Sequence, residues 1–325
     1  MSLILVGDIG GTKTTFVLYD YSEQSPQCIN QLTYTSHDFN QFNDILVHLM
    51  NKMGINTIDI LSLSIAGPIL NNECHTTNLP WHISANTIHQ AIKVDQIILL
   101  NDIEATGYGL LALSNEDLIQ INPMAQFRSA NRGIISIGTG LGEAFLFWDG
   151  GKYIPCGTEG GHTDFAPLID SDIPLWQYLN QQFNGHISYE RLISGPGILL
   201  IYEYLCRQNK LSNDKLINKT SAWISSQAIQ KTDKLSIECM DIFIRFLANE
   251  SANLCLKSMA TGGIYITGGI APKILPLLTQ PVFLSFFCEK GRFKELMQTI
   301  PIWINKSEHS PLDGALDRAI KVIKS

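Results

Sequence analysis

None of the seven cysteines in this chain falls in a C-x-x-C pair, so the sequence offers neither a zinc-finger spacing nor a disulfide framework. An odd number of cysteines spread this widely fits reduced thiols. Long apolar runs are missing too. No uninterrupted stretch reaches the ~18 residues that mark a membrane span. The apolar residues at 3–6 are too few for a secretory signal. Positive charge is in deficit: 23 Lys and Arg against 30 Asp and Glu leave a net charge of −7. That balance argues against nucleic acid or an anionic membrane as the main partner. A small polyanion stays open, since it needs only a local cluster of donors, and it would arrive with a divalent cation to offset repulsion. The expectation is a soluble cytoplasmic protein with no nucleic-acid or membrane partner. Hydrophobic residues make up 45% of the 325 positions, enough for a sizeable core and a length of roughly two domains.

The chain is organised around a stretch near its start. Residues 3–6 are an apolar run and residues 14–19 are β-branched and aromatic-rich, so both read as strands. Between them lie Asp8, Gly10, Gly11, Thr12 and Lys13. A strand, a glycine turn and a second strand make a hairpin, unlike the P-loop or the dinucleotide fingerprint, where a helix follows the glycines. Glycines at such a tip let backbone N–H groups approach a bulky anion. Asp8, at the end of a buried strand, is placed to hold hydrated Mg²⁺ beside it.

The pattern returns in the second half as an apolar run, Gly138, Thr139, Gly140, Leu141 and Gly142, then another apolar run to Trp148. The internal repeat says more than either copy, and two such tips could close on a phosphate chain from opposite sides. A third glycine turn, Gly268-Gly269, follows an apolar strand and precedes Pro272, so a helix is expected to start there.

Elsewhere, helical spacing covers residues 39–53 and 236–259, and Ser84 reads as the N-cap of a helix over 85–93. A further strand is expected near residues 32–35. The apolar strand at 96–100 ends in Asn101-Asp102, which suits a ligand crevice beyond a strand's carboxyl end as well as a plain helix cap. Residues 111–131 turn polar and lose periodicity, marking a domain crossover. The final segment from Asp313 is amphipathic and reads as a helix that returns to the first domain. Around Thr158-Glu159-Gly160-Gly161-His162-Thr163-Asp164, acid and imidazole groups on a glycine loop suit the vicinal hydroxyls of a sugar. Asp164 and His186 stay open between that role and tying down the loop. No His or Cys lies at zinc spacing here.

Together these stretches resemble bacterial glucokinases of the hexokinase-like, ATP-dependent sugar kinase type, within the wider actin, Hsp70 and sugar-kinase ATPase superfamily. The most specific parts are Thr76-Thr77-Asn78, Asn101-Asp102, the run from Gly157 to Pro167, and Ser194-Gly195-Pro196-Gly197. The resemblance implies an α/β protein of two domains with the ribonuclease H-like, actin-like ATPase fold and an interdomain cleft. On the hairpin repeat, the small α/β domain takes residues 1–110 plus about 311–325 and the large one 111–310. It implies transfer of the γ-phosphoryl of ATP to the 6-hydroxyl of D-glucose, the first step of glycolysis, with ATP and Mg²⁺ bound and a homodimeric state. Carried over by residue, Asp102 is the catalytic base. Asn101, Asp102, Glu159, His162 and Glu190 bind glucose. Asp8, Gly10, Gly11 and Thr12 form the first phosphate turn, with Asp8 near the metal, and Gly138, Thr139, Gly140 and Gly142 form the second. Gly268 and Gly269 fall in the adenosine motif.

Two positions depart from the family pattern. Lys13 stands where asparagine is common, and Pro311-Leu312-Asp313-Gly314-Ala315 replaces the usual Gly-Leu-Leu-Gly. A neighbouring family of repressors and sugar kinases carries a cysteine-rich zinc segment after its glucose-binding histidine. Here Thr163-Asp164-Phe165 follows His162, and with the hairpin beginning at residue 3 no N-terminal helix-turn-helix is expected. Rival readings are a kinase for mannose, N-acetylglucosamine or fructose, an ATP-hydrolysing chaperone or filament protein, and a non-catalytic sugar sensor.

Overall fold

The computed structural model describes residues 2–22, 25–76, 79–113, 115–211 and 219–324. The chain forms two compact units: residues 1–114 with 307–325, and residues 115–306. Thr77 and Asn78 lie outside the described residues.

In the first unit the strands are β1 (Ser2–Ile9), β2 (Lys13–Tyr21), β3 (Pro26–Thr35), β4 (Thr57–Ile65), β5 (Glu73–His75), β6 (His82–Ser84) and β7 (Lys93–Asn101). The helices are α1 (Phe42–Met53), α2 (Ala85–Ala91) and α3 (Asp102–Ala112). The main sheet has the order β3-β2-β1-β4-β7, and β5 pairs with β6 separately. The leading hairpin is antiparallel, whereas β1, β4 and β7 run parallel. Side chains alternate across a strand, so a run apolar at every position needs cover on both faces. Leu5, Leu61 and Leu63 meet Phe42, Ile45, Leu46 and Leu49 of α1. Ile4, Val6 and Ile60 meet Leu312, Ala315 and Ala319 of the C-terminal helix (Ser310–Lys324). That helix crosses α3 at small residues: a Cβ on Gly314 would overlap the Ala105 carbonyl, and one on Gly109 would overlap that of Ser310. The departure from Gly-Leu-Leu-Gly thus retains glycine where the backbones touch.

The second unit contains β8 (Leu118–Gln120), β9 (Arg132–Ile137), β10 (Leu141–Trp148), β11 (Tyr153–Thr158), β12 (Gly263–Thr267) and β13 (Ile302–Asn305). Its sheet order is β11-β10-β9-β12-β13-β8. The helices are α4 (Ile173–Gln182), α5 (Gly195–Gln208), α6 (Ser221–Gln230), α7 (Lys234–Ser258), α8 (Leu275–Leu278), α9 (Pro281–Cys288) and α10 (Lys294–Gln298). The apolar side chains of α7, among them Phe243, Phe246 and Leu247, are the centre of its core. The Asp233 carboxylate caps the start of α7 by accepting from Ser236 N at 2.9 Å.

Several elements differ from the expectation. β3 reaches back to Pro26, and its largely exposed, polar run follows from its place at the sheet edge. Helix α2 stops at Ala91, because Ile92 is extended and Lys93 already pairs with Thr57. Ser84 stands at the cap position, but its hydroxyl donates to Glu73 Oε1 at 3.2 Å instead of accepting from the helix. After Gly268-Gly269 comes a 3₁₀ turn (Ala271–Ile274) and then the short α8. Pro276 lacks the N–H that would continue a helix from the Pro272 turn. The polar stretch at 111–131 holds β8, paired with β13. Among the described residues no single helix is long and apolar enough to cross a membrane.

Candidate active site

In the first unit the parallel register lines up the carboxyl ends of three strands. Asp8 faces Ser64, Ile9 faces Ile65, and Ile65 faces Asn101. Neighbouring strands lie ~4.8 Å apart, so β1 and β7, with β4 between them, stand roughly 10 Å apart. Asp8 and the Asn101-Asp102 pair therefore share one edge. Ser64 Oγ donates to Asp8 Oδ1 at 3.2 Å. Burial raises the Asp8 carboxyl above the usual range, while the Ser64 bond and the charges of Lys13 and His309 oppose the rise.

The first glycine turn is tied from below. Gly10 N donates to Lys13 O at 3.1 Å and Ser36 N to Thr12 O at 3.0 Å. Ser36 Oγ donates to Gly10 O at 2.7 Å and lies 3.0 Å from Thr14 Oγ1. Among the described residues no acceptor takes the N–H of Gly11 or Thr12, which leaves two donors at the tip. Lys13 is exposed there. Gly10 and Gly11 line a small recess with Ile9, Ala66, Thr76 and Leu79.

Asn101 is the N-cap of α3: its Oδ1 accepts from Ile103 N at 3.0 Å, and its Nδ2 donates to Gly67 O at 2.9 Å. Asp102 opens the helix, its Oδ1 also accepting from Ile103 N at 2.9 Å. Capping thus falls mainly to Asn101. Asp102 is half-buried, and its charge adds to burial in pushing the Cys74 thiol upward.

In the second unit the β9–β10 hairpin is the hub. Gly195 N, at the start of α5, donates to Gly138 O at 2.8 Å, and Ile270 N to Ile137 O at 3.1 Å. Gly268 adopts φ +89°, and a Cβ there would overlap the Ile137 carbonyl, so only glycine fits this approach. Ser194 Oγ caps α5 by accepting from Gly197 N at 3.1 Å. Glu190 Oε2 accepts from Leu141 N at 3.1 Å and lies where a Cβ on Gly140 would sit. The 3₁₀ turn Gly160–His162 rests on the same hairpin. Glu159 and His162 are exposed at its ends with Oε2 and Nε2 3.8 Å apart. Thr139 and Gly269 are exposed, whereas Gly138, Gly140, Gly142 and Gly268 are half-buried. His186 and Asp164 pair with each other at 3.4 Å.

The structure thus gathers Asp8, Gly10, Gly11, Thr12, Asn101 and Asp102 in one unit. It gathers Gly138, Thr139, Gly140, Gly142, Gly268, Gly269, Glu159, His162 and Glu190 in the other. Sequence reasoning missed Ser36, Ser64 and Glu143. For Ser64 a signal was present: Ser62 and Ser64 are the polar positions in the otherwise apolar run at residues 60–65. Glu143 lies buried beneath the Gly160–His162 turn.

The residues fit a magnesium ion of one kind. Among the described residues no group of three or more His, Cys, Asp or Glu side chains could hold a metal. Mg²⁺ is commonly held by one or two carboxylates, with phosphate oxygens and water completing the shell. Asp8, a desolvated carboxylate next to two unpaired N–H donors, meets that requirement.

Two mixed α/β sheets, each led by an antiparallel glycine hairpin and continued in parallel strands, define the actin-like ATPase fold of the sugar kinases. A family model described as glucokinase matches residues 5–321. The chain belongs to the glucokinase family. It is 35% identical to a glucokinase from Synechocystis sp., covering 96% of both chains. It is 36% identical to one from Nostoc punctiforme, over 97% of this chain and 98% of the relative. Among solved structures, a glucokinase from an Antarctic psychrotroph superposes with TM-score 0.81 at 28% identity, covering all of both chains.

Proposed function

We propose that the protein is an ATP-dependent glucokinase, transferring the γ-phosphoryl group of ATP to the 6-hydroxyl of D-glucose and yielding glucose 6-phosphate and ADP, the entry step of glycolysis. The shared edge of β1, β4 and β7 carries the proposal, because it sets a base and a phosphate turn one strand apart. The named relatives are glucokinases over nearly their full length, which supports glucose as the acceptor.

Asp102 takes the proton of the 6-hydroxyl as its oxygen attacks phosphorus. A carboxylate in the first turn of a helix sits at the favourable end of the dipole, and a positioned base contributes ~10²–10⁴-fold. Asn101, Glu159, His162 and Glu190 orient the sugar through its other hydroxyls. Unpaired polar groups left by an analogue lacking one of these would penalise it. The N–H groups of Gly11 and Thr12, and the Gly138-to-Gly142 turn, receive phosphate oxygens. Gly268 and Gly269 border the adenosine. When bound at Asp8, Mg²⁺ neutralises charge on the phosphates. A homodimer and a cytoplasmic location belong to the same proposal. The seven free cysteines support the location, and sedimentation tests the dimer.

A coupled assay across a panel of hexoses with ATP tests the function. Glucose is expected to be the preferred acceptor, and turnover without sugar to be negligible. Asp102→Asn is expected to keep calorimetric glucose binding while kcat falls by ~10²–10⁴-fold. Sugar-independent ATP hydrolysis, or near-normal turnover in the variant, would sink the assignment.

A further inference from the structure

The proposed reaction leaves one buried carboxyl unused. Glu143 follows Gly142 on β10 and is only 1% exposed. It faces Thr158 across the ladder, and Thr158 Oγ1 donates to the Glu143 carbonyl at 2.9 Å. Its side chain lies directly under the sugar turn. A Cβ on Gly160 would overlap Glu143 Oε2, and one on Gly161 would overlap the Leu141 carbonyl. The second oxygen, Oε1, is buried with no hydrogen-bond partner among the described residues.

Behind it stands a polar network built on α7. Glu250 is fully buried and accepts from Asn253 Nδ2 at 2.8 Å and Lys257 Nζ at 3.0 Å. Tyr189, the neighbour of Glu190, accepts from Asn253 Nδ2 at 3.2 Å. Lys290 Nζ donates to the side-chain oxygens of Asn249 and Asn253 at 2.5 and 2.6 Å. Glu190 is thus next in sequence to a member of this network, and Glu143 lies within reach of the Glu250 charge.

We propose that Glu143 is a positioning residue for the sugar: it sets the seat of the Glu159-to-His162 turn on β10, so that its protonation governs glucose affinity and leaves nucleotide affinity unchanged. The inference rests on the glucose assignment above. Burial first, then the Glu250 charge, push the Glu143 carboxyl up to about 8, with Lys257 opposing. Lys290 and Tyr189 are the further titratable groups on the network. Below that pH the neutral acid packs against the turn without a charge to solvate. Above it, a buried anion beside Glu250 needs donors or water. The turn is the neighbour that can give way.

The test is steady-state kinetics of the whole protein, with glucose and ATP varied separately between about pH 6.5 and 9.5. In the unsubstituted protein KM for glucose is expected to rise about tenfold across this range, with KM for ATP steady within about twofold. Glu143→Ala should raise KM for glucose about tenfold already at neutral pH. The neutral isostere Glu143→Gln should rescue that loss and abolish the alkaline rise. An alkaline rise that survives in Glu143→Gln, or KM values for sugar and nucleotide that move together, would overturn the proposal. Should both variants fail to fold, calorimetric glucose affinity of the unsubstituted protein decides: a flat profile across the same range overturns it. Glucose-dependent turnover with that flat profile defeats this inference alone. No glucose-dependent turnover at all defeats the function itself.

Discussion

At the scale of single residues, the paired glycines of the sugar loop are required by contact. Gly160 lies on a carboxylate and Gly161 on a main-chain carbonyl, and neither place has room for a methyl group. Glu143 is itself fixed by its ladder partners and by α7 behind it, so it has little freedom to retreat. Gly160→Ala should therefore lift the turn and move Glu159 and His162 together. The expected result is a rise of at least about tenfold in KM for glucose, with smaller change in KM for ATP. Equal glucose affinity in the variant, measured by calorimetry, would show that the turn does not hold the sugar. Lys13 fits the same scale of reasoning. Its charge helps to keep Asp8 ionised, a contribution that asparagine at this position would not make.

At the scale of elements, the C-terminal helix matters because of what it touches. It covers the Ile4, Val6 and Ile60 face of the sheet and crosses α3, the helix that Asp102 opens. Gly314→Ala would press a methyl group into the Ala105 carbonyl. Overpacking of this kind costs about 1–3 kcal/mol, and relief by sliding α3 also displaces Asp102. Melting temperature and kcat are thus expected to fall together. Lys321→Ala, which removes a pair with Asp317 on the same helix and a cation–π contact 5.3 Å from the Tyr108 ring of α3 but leaves the crossing glycines in place, should cost no more than about 1 kcal/mol and leave kcat unchanged. Matching losses in the two variants would refute a role for the crossing.

How much of this was legible beforehand depends on the kind of signal. The strands β1, β2, β9 and β10 and the helix α7 announced themselves through apolar pattern, and the glycine turns through composition. Of the edge strand β3 only residues 32–35 did, since its earlier half lies exposed at the sheet edge and carries no apolar pattern. Nor did the break after Gly268-Gly269, where two prolines in close succession favour short turns over one helix. At the site, residue types could be matched to a family pattern, but their supports could not. Ser36 and Glu143 act through atoms that arrive from distant positions or lie beneath a turn. Nothing in their local sequence distinguishes them from ordinary surface residues.

At the scale of the whole molecule, the buried carboxyls set how stability responds to pH. Glu143 in one unit, and Asp8 and Glu104 in the other, are all raised, in each case chiefly by burial; Arg318 opposes the rise at Glu104. A raised carboxyl binds its proton more tightly in the folded than in the unfolded chain. Stability is therefore greatest below the unfolded value and declines until the folded value is passed. For Glu143 that window runs from 4.5 to about 8. Calorimetric melting should accordingly move several degrees lower between about pH 5 and 8, then level off for this group. Glu143→Gln should flatten the decline for the unit that carries it, its advantage over the parent widening up to about pH 8. Asp8 should respond differently to ligand. Mg²⁺ with ATP favours its ionised form, so their stabilising effect should grow as pH rises through the raised Asp8 value. An advantage for Glu143→Gln that stays constant with pH, or that shrinks on the alkaline side, would show that this carboxyl is already ionised in the folded protein at neutral pH.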